Sequence, residues 1–241
     1  MTMDFSKKIF LTFDVDWAID SVMTFTYDIL GKQKVKATFF TTHDSLFFDT
    51  LRNDKNIEIG LHPNFNPLLD GSTSGKGFGQ IIDDLLKIAP SAVSYRSHCL
   101  VQGSTISKYV SKHLKYDANC FIPHTANMTL RPFTNHCGML VVPYFFEDNA
   151  AFSGEGFKPV SEYMTDKDSL KIFSFHPIHV FLNTENIQRY EHAKPHYKDL
   201  ASLQAHVNKI GYGTMNFLED IIEFGKNKGF EFLNIRDIRL G

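Results

Sequence analysis

Short apolar runs alternate along the chain with stretches of helical periodicity. The runs are rich in β-branched and aromatic residues and predict strands at 9–13, 37–41, 57–61, 94–96, 140–144, 172–175 and 230–234. The stretches between them predict helices at 19–30, 45–51, 79–88, 104–114 and 212–227. Alternating strands and helices are typical of a parallel sheet. The 241 residues therefore predict one α/β domain, 1–241, folded as a distorted (β/α) barrel of about seven parallel strands.

Polar side chains follow the predicted strands at the points where the strands end. These residues are Asp14 and Asp16, His62, Arg96 and His98, the segment 144–148, and His176. In parallel barrels, functional side chains collect at the C-terminal ends of the strands. We therefore expect the active site at this end of the barrel.

Asp14 and Asp16 are the most informative pair in the sequence. Alternation along a strand would place them on one face, about 7 Å apart. Two carboxylates this close repel each other, and a cation beside them would leave one as a ligand and the other as a base. A single aspartate at a strand end is more often a helix cap or the start of a turn. The pair favours a metal-dependent hydrolase site.

Two histidines supply further candidates for metal ligands. His62 and Asn66 are four residues apart and would converge on one point if the turn between them were helical. Imidazole and carboxylate groups suit zinc or another divalent ion, and a hydrolytic site needs about three protein ligands plus water. Asn66 is a weak donor for zinc, so we rank His98 above it as the third ligand. The alternative for His98 is a hydrogen-bonded histidine in the barrel wall.

Arg96 and His176 are candidate catalytic groups. A guanidinium at the end of an apolar strand needs a carboxylate partner, and Asp14 is the expected one. The alternative for Arg96 is an exposed position at the rim of the sheet. His176 follows the predicted strand 172–175, from where it would protonate a leaving amine opposite a metal-bound water. His179, three residues later, could orient the substrate or cap the loop, and we favour the structural role of a loop cap.

Composition narrows the class of partner and the compartment. The 25 basic and 27 acidic residues nearly cancel and form no long basic cluster, which argues against nucleic acid and favours a small or neutral ligand. Cys99, Cys120 and Cys137 lack the spacing of a disulfide framework or a zinc knuckle, so reduced thiols are expected. Neither a signal-peptide pattern nor a membrane-spanning apolar run is apparent, and we expect a cytoplasmic protein without a membrane span.

Five segments, taken in order, resemble the motifs of the polysaccharide deacetylase superfamily, the metal-dependent NodB-like carbohydrate esterases. They are TFDVDW at 12–17, HPNFN at 62–66, YRSHCL at 95–100, the segment 141–148 and FSFHPIH at 173–179. The residues in these motifs are most similar to those of a WbmS-like branch found among O-antigen and capsule biosynthesis proteins. The resemblance covers nearly the whole chain.

The resemblance implies a metal-dependent hydrolase that removes an acyl group from a sugar or sugar nucleotide. An N-acetyl group is the first candidate. By the family pattern, Asp14 is the base and His176 is the catalytic acid, while Arg96 orients the base. Asp16 and His62 are metal ligands by the same pattern. Zinc is the expected ion.

The remaining motif positions are expected near the substrate or the metal. Asn66 stands where the family has a second histidine ligand, and His98 stands where it has a proline. A backbone amide near Tyr144 would hold the oxyanion together with the metal. Glu147 and Asp148 are expected to hydrogen-bond sugar hydroxyls, with a solvated loop as the alternative.

Two other functions fit the same residues. A related amidase acting on a ureide or a cyclic amide would use the same constellation, and a substrate screen would separate it from a sugar deacetylase. A non-catalytic sugar-binding protein would result if Asn66 abolished metal binding, and metal analysis would detect this. A purely structural role would leave the polar residues at so many strand ends unexplained.

Overall fold

The computed structural model describes residues 3–69, 71, 76–154 and 156–240. Within these ranges the strands are β1 Lys8–Asp14, β2 Ala37–Thr41, β3 Ile57–Leu61, β4 Ser94–Tyr95, β5 Tyr116–Asp117, β6 Phe133–Thr134, β7 Leu140–Val141, β8 Phe146–Glu147, β9 Ile172–Phe175 and β10 Glu231–Leu233. The helices are α1 Asp20–Gln33, α2 Phe47–Leu51, α3 Asn66–Leu69, α4 Phe78–Ile88, α5 Ser104–Val110, α6 Asp148–Ser153, α7 Val160–Tyr163, α8 Pro177–Leu182, α9 Ile187–Ala193, α10 Leu200–Ala205 and α11 Thr214–Asn227.

The strands form a distorted parallel barrel. On one side of β1 follow β2, β3, β4 and β5, and β9 lies on its other side, all in parallel. One chain segment carries β7, which pairs with β5, and then β8, which pairs with β9, so it joins the two ends of the ladder. The α/β fold expected from the sequence, a distorted barrel of about seven parallel strands, is confirmed.

Two strands of the described chain lie outside this ring. One is β6, which pairs antiparallel with β7. The other is β10, which pairs with residues 8–10 of β1, whereas β2 pairs with residues 12–14. Because β9 pairs with both Phe10 and Thr12, β10 and β2 share the opposite edge of β1 in succession. The strand predicted at 230–234 therefore pairs beside the start of β1 and lies outside the ring, whereas β5 and β8, which the sequence pattern did not predict, lie within it.

The elements that the sequence pattern missed are short or wholly buried. A strand of two residues, such as β5 or β6, is too short for alternation to appear. All six residues of α8 are buried, so this helix has no polar face to produce an amphipathic period.

Phenylalanine side chains of neighbouring strands pack against one another near the strand ends. Phe13 stacks on Phe39 and Phe175, with ring centroids 4.9 and 5.8 Å apart, and all three rings are fully buried. These residues belong to three adjacent strands, β2, β1 and β9. Close packing of large rings fixes the strands relative to one another, and with them the residues that follow each strand.

Candidate metal and catalytic site

Asp14 and Asp16 approach the site from the end of β1. Asp14 is the last residue of the strand and is 4% exposed. Asp16 lies beyond the strand in the left-handed region of backbone conformation, with φ at 48°. The two aspartates are therefore not alternate residues on one face of a strand, as we expected. The Asp16 carbonyl oxygen accepts a hydrogen bond from the Thr42 hydroxyl. Both carboxylates still reach the ring of His62: Asp14 Oδ1 is 3.8 Å from Nδ1, and Asp16 Oδ1 is 3.2 Å from Nε2.

Asp16, His62 and His98 converge on one point. His62 Nε2 and His98 Nδ1 lie 3.2 and 2.9 Å from Asp16 Oδ1, and the three donor groups lie within 4.8 Å of one another. Burial alone would raise the pKa of Asp16, but the hydrogen bonds with His62 and His98 outweigh it and hold that pKa well below its usual value. Asp16 is therefore ionised at neutral pH, as a metal ligand must be.

This donor set fits a divalent ion. One carboxylate and two imidazoles, each from a different strand end, are typical of a catalytic zinc site that keeps a further position for water. His62 Nδ1 is buried and has no hydrogen-bond partner among the described residues. With Nε2 directed at an ion, Nδ1 would carry the ring hydrogen, and Asp14 Oδ1 lies 3.8 Å from it, beyond hydrogen-bond distance.

His98 occupies the position of the third donor, whereas Asn66 lies against Cys99. The chain over residues 62–65 is not helical, because α3 begins only at Asn66, so the turn that would carry Asn66 onto the side of His62 does not form. The Asn66 amide nitrogen lies 3.4 Å from Cys99 Sγ. The backbone N–H of His98 donates to the carbonyl of Pro63 at 3.0 Å, which ties His98 to the loop after β3.

Arg96 is buried in the barrel and pairs with Asp14. Its Nη1 donates to Asp14 Oδ1 at 3.0 Å and to Ser174 Oγ at 2.7 Å. The guanidinium carbon lies over the rings of Phe40 and Tyr144, 4.9 and 4.3 Å from their centroids. The expected pairing with Asp14 is confirmed, and the exposed-rim alternative for Arg96 is wrong. An arginine packed against two aromatic rings fixes the direction of the Asp14 carboxylate.

His176 follows β9 and is anchored by Asp148. The His176 Nδ1 atom lies 2.7 Å from Asp148 Oδ1, and its backbone N–H donates to Asp148 Oδ2 at 2.7 Å. The other ring nitrogen, Nε2, lies 3.9 Å from Asp16 Oδ2. Burial alone would lower the pKa of His176, but the Asp148 carboxylate outweighs it and holds this pKa well above the usual 6.5. The Asp148 carboxylate therefore favours the protonated form of His176, the form that a general acid would need.

Asp148 has a different place from the one expected. We expected it to contact a sugar hydroxyl or to lie in a solvated loop, but it is fully buried at the start of α6, with both oxygens on His176. Sequence reasoning missed this role because the two residues are 28 positions apart and no local spacing connects them. No local signal was available, because the sequence pattern does not predict the helix α6 that Asp148 begins.

Asp148 and His176 also form, with His179, a second group that has metal-ligand spacing. His179 is buried, its Nδ1 lies 3.2 Å from Thr184 Oγ1, and burial lowers its pKa to about 4, so the ring is neutral. Since both Asp148 oxygens are already bonded to His176, these contacts indicate support for His176 and a structural role for His179.

Tyr144 and Glu147 lie beside the catalytic groups. The Tyr144 backbone N–H donates to the Cys120 carbonyl at 2.9 Å, so this amide is not free for the expected oxyanion contact. Its side chain is fully buried, and its hydroxyl donates to Glu147 Oε2 at 3.0 Å. Glu147 is half-buried, and burial raises its pKa. It lines a cavity of about 190 Å³ together with Phe146 and Tyr163, and none of the candidate metal or catalytic residues is part of that lining.

Comparison with known proteins places this geometry in a family. A family model described as WbmS-like polysaccharide deacetylase matches residues 11–194, more than half of the chain. The chain belongs to the WbmS-like polysaccharide deacetylase family. It is also similar to a crystal structure from Bordetella bronchiseptica, described as a candidate polysaccharide deacetylase involved in O-antigen biosynthesis, with 36% identity, 92% of each chain covered and a TM-score of 0.83.

More distant solved structures share the fold alone. The Bc1960 peptidoglycan N-acetylglucosamine deacetylase is 15% identical, with 97% of this chain and 87% of that chain covered and a TM-score of 0.54. The peptidoglycan deacetylase PdaC from Bacillus subtilis is also 15% identical, with 98% and 91% covered and a TM-score of 0.52. No curated protein sequence matches the chain.

The WbmS-like family match contains the whole candidate site, from Asp14 to His176. Among the described residues, no helix is both long and apolar enough to cross a membrane. Cys99, Cys120 and Cys137 are free thiols, as expected from their spacing.

Replacing Asp148 with asparagine should shift the pH profile of this WbmS-like protein. The Asp148 carboxylate raises the pKa of His176, so its loss lowers that pKa. If His176 is the acid in its protonated form, activity is lost as pH rises through its pKa, and the alkaline limb of kcat/KM should move to lower pH in Asp148→Asn. The profile of wild type and variant is the measurement, with circular dichroism to confirm folding. An unshifted alkaline limb would show that Asp148 does not control the pKa of the group that acts as the acid.

Proposed function

We propose that this WbmS-like protein is a metal-dependent deacetylase that removes an N-acetyl or similar acyl group from a sugar or sugar nucleotide in surface-polysaccharide biosynthesis. One observation carries the proposal: three metal-type donors converge between a buried carboxylate held by Arg96 and a buried imidazole held by Asp148. The 36% identical relative is itself described as involved in O-antigen biosynthesis. Free cysteines fit a reducing compartment, and we propose that the protein acts in the cytoplasm.

The residues around Asp14 prepare the attack on the acyl carbon. A divalent ion, with zinc as the first choice, would be held by Asp16, His62 and His98, where it would polarise the acyl carbonyl and acidify water. Asp14 accepts the proton that the attacking water loses. Arg96 aims the Asp14 carboxylate, so the base needs no reorientation when the substrate arrives.

His176 completes the hydrolysis. As the carbon–nitrogen bond breaks, its electron pair stays on the nitrogen, and the proton on His176 Nε2 neutralises it to give the free amine. Asp148 stabilises the positive charge on the ring before that transfer. Glu147, half-buried and bonded to the Tyr144 hydroxyl, is the proposed contact for a sugar hydroxyl.

Metal affinity should depend on His98 and not on Asn66. His98 Nδ1 lies 2.9 Å from Asp16 Oδ1, whereas the Asn66 amide lies against Cys99. Substituting a residue behind a ligand already weakens metal binding by about 10- to 100-fold, so His98→Ala should weaken zinc binding by more than about 100-fold. Asn66→Ala is the matched control and should bind zinc as wild type does. A titration against a competing chelator measures both, and the opposite ranking would assign the third ligand to Asn66.

A substrate screen tests the reaction itself. Zinc-loaded protein should release a free amine from at least one N-acetylated sugar or sugar nucleotide, detected by amine labelling. Hydrolysis of a ureide or cyclic amide in place of every N-acyl sugar would favour the related amidase. Binding of a sugar without hydrolysis, in protein that holds no zinc, would favour a sugar-binding protein with a degenerate site.

A further inference from the structure

Trp17 is the single tryptophan of the chain, and half of it is exposed to solvent. Its indole meets the ring of His98 edge-on, with centroids 4.9 Å apart and an interplanar angle of 76°. Two and three residues earlier the chain is buried, since Val15 is fully buried and Asp14 is 4% exposed. The left-handed turn at Asp16 therefore carries the chain out of the barrel and sets Trp17 at the mouth of the candidate metal site.

The position of this indole distinguishes it from other exposed apolar side chains. Single exposed residues such as Leu46 and Ile210 are ordinary features of a protein surface. Trp17, by contrast, directly follows one residue of the metal cluster and contacts the ring of another, His98. The contact with His98 restrains the indole, so a ligand that stacks on the free face would lose little side-chain entropy.

We propose that the exposed face of Trp17 is the platform on which the pyranose ring of the substrate stacks while its acyl group lies at the metal site. This inference rests on the proposed deacetylase function. A pyranose presents a face of C–H groups with slight positive charge, which complements the electron-rich face of an indole. An aromatic face for the ring and a few polar groups for the reacting end is the usual division of labour in a small-molecule site.

Two substitutions and one control test the platform. Trp17→Ala removes the indole, and Trp17→Phe keeps an aromatic face. Phe133→Ala removes an equally exposed ring, 49% against 50%, on the edge strand β6. Each zinc-loaded protein is assayed for zinc content, for kcat and KM on UDP-N-acetylglucosamine, UDP-N-acetylgalactosamine and free N-acetylglucosamine, and for binding of the same sugars by calorimetry. In wild type, emission from the single tryptophan reports directly on stacking.

The platform predicts a saturable change of tryptophan emission on adding one of these sugars. It also predicts a KM or Kd raised about 10-fold or more in Trp17→Ala, the size of an aromatic contact, with partial rescue in Trp17→Phe. Zinc content and kcat should stay unchanged in the Trp17 variants, and Phe133→Ala should match wild type in every assay. If wild type hydrolyses a sugar while Trp17→Ala keeps its KM, the platform is wrong and the deacetylase proposal stands.

The remaining outcomes separate the two proposals further. Loss of zinc in Trp17→Ala would make the indole a support for His98 and overturn the platform. If no sugar is hydrolysed but one binds to wild type and fails to bind to Trp17→Ala, the platform stands and the deacetylase proposal fails. If these sugars neither bind nor react, both proposals are overturned.

Discussion

Asp14→Asn and His176→Ala should each lose on the order of 100-fold or more in the rate of acyl-sugar hydrolysis, the size of a general acid or base contribution. Both variants should keep the metal, because the converging donor atoms belong to other residues. In Asp14→Asn the side chain keeps its shape and can no longer accept the proton of the attacking water. In His176→Ala the departing amine has no proton donor. Single-turnover kinetics and zinc analysis on the same preparations measure the two effects.

Asp168→Asn is the matched control for removal of a carboxylate. Its side chain is 71% exposed, and such surface changes alter free energies by no more than about 0.5 kcal/mol, so its rate should stay within about twofold of wild type. Hydrolysis by Asp14→Asn at near the wild-type rate, with deamidation back to aspartate excluded by mass spectrometry, would remove Asp14 from the role of base.

Asp16→Ala and His62→Ala should strip the metal from the protein. Asp16 Oδ1 lies within 3.2 Å of both imidazole donors and supplies the only negative charge among the three, so its loss leaves two neutral nitrogens. His62 is 2% exposed, and alanine at its position offers no donor atom to an ion. Elemental analysis after dialysis should find a small fraction of the wild-type zinc content in either variant.

The exposed His192 provides the control for loss of an imidazole, and His192→Ala should keep the full zinc content. Wild-type stoichiometry in Asp16→Ala or His62→Ala would place the metal elsewhere in the protein. Circular dichroism of both variants is needed beside the metal analysis, since an unfolded protein would lose zinc for a different reason.

The barrel was predictable where its strands are long and buried. The predicted bounds 37–41, 57–61 and 172–175 coincide with β2, β3 and β9, because short runs rich in β-branched and aromatic residues are typical of strands buried on both faces. The two-residue β5 carries no such pattern, although it holds a place in the ring between β4 and β7. Its pairing is decided by the neighbouring strands and not by its own sequence.

For the site, as for the fold, local patterns predicted some residues, whereas contacts between distant segments could not be predicted. The rule that chemistry follows strand ends identified Asp16, His62 and His98, and the structure brings all three together. The place of Asp148 behind His176 was not predictable, because it depends on how α6 packs against the end of β9. The contact of Trp17 with His98 likewise depends on the left-handed conformation of Asp16, which aspartate adopts only occasionally and which no local pattern predicts at this position.

Anomalous scattering from crystals of the zinc-loaded protein, combined with elemental analysis, tests the metal site most directly. We predict one ion per chain, bound by an Asp16 carboxylate oxygen, His62 Nε2 and His98 Nδ1 at about 2.0–2.2 Å. The absence of a stoichiometric ion, or an ion bound by other side chains such as Asp148, His176 and His179, would contradict the proposed site and the hydrolysis built on it.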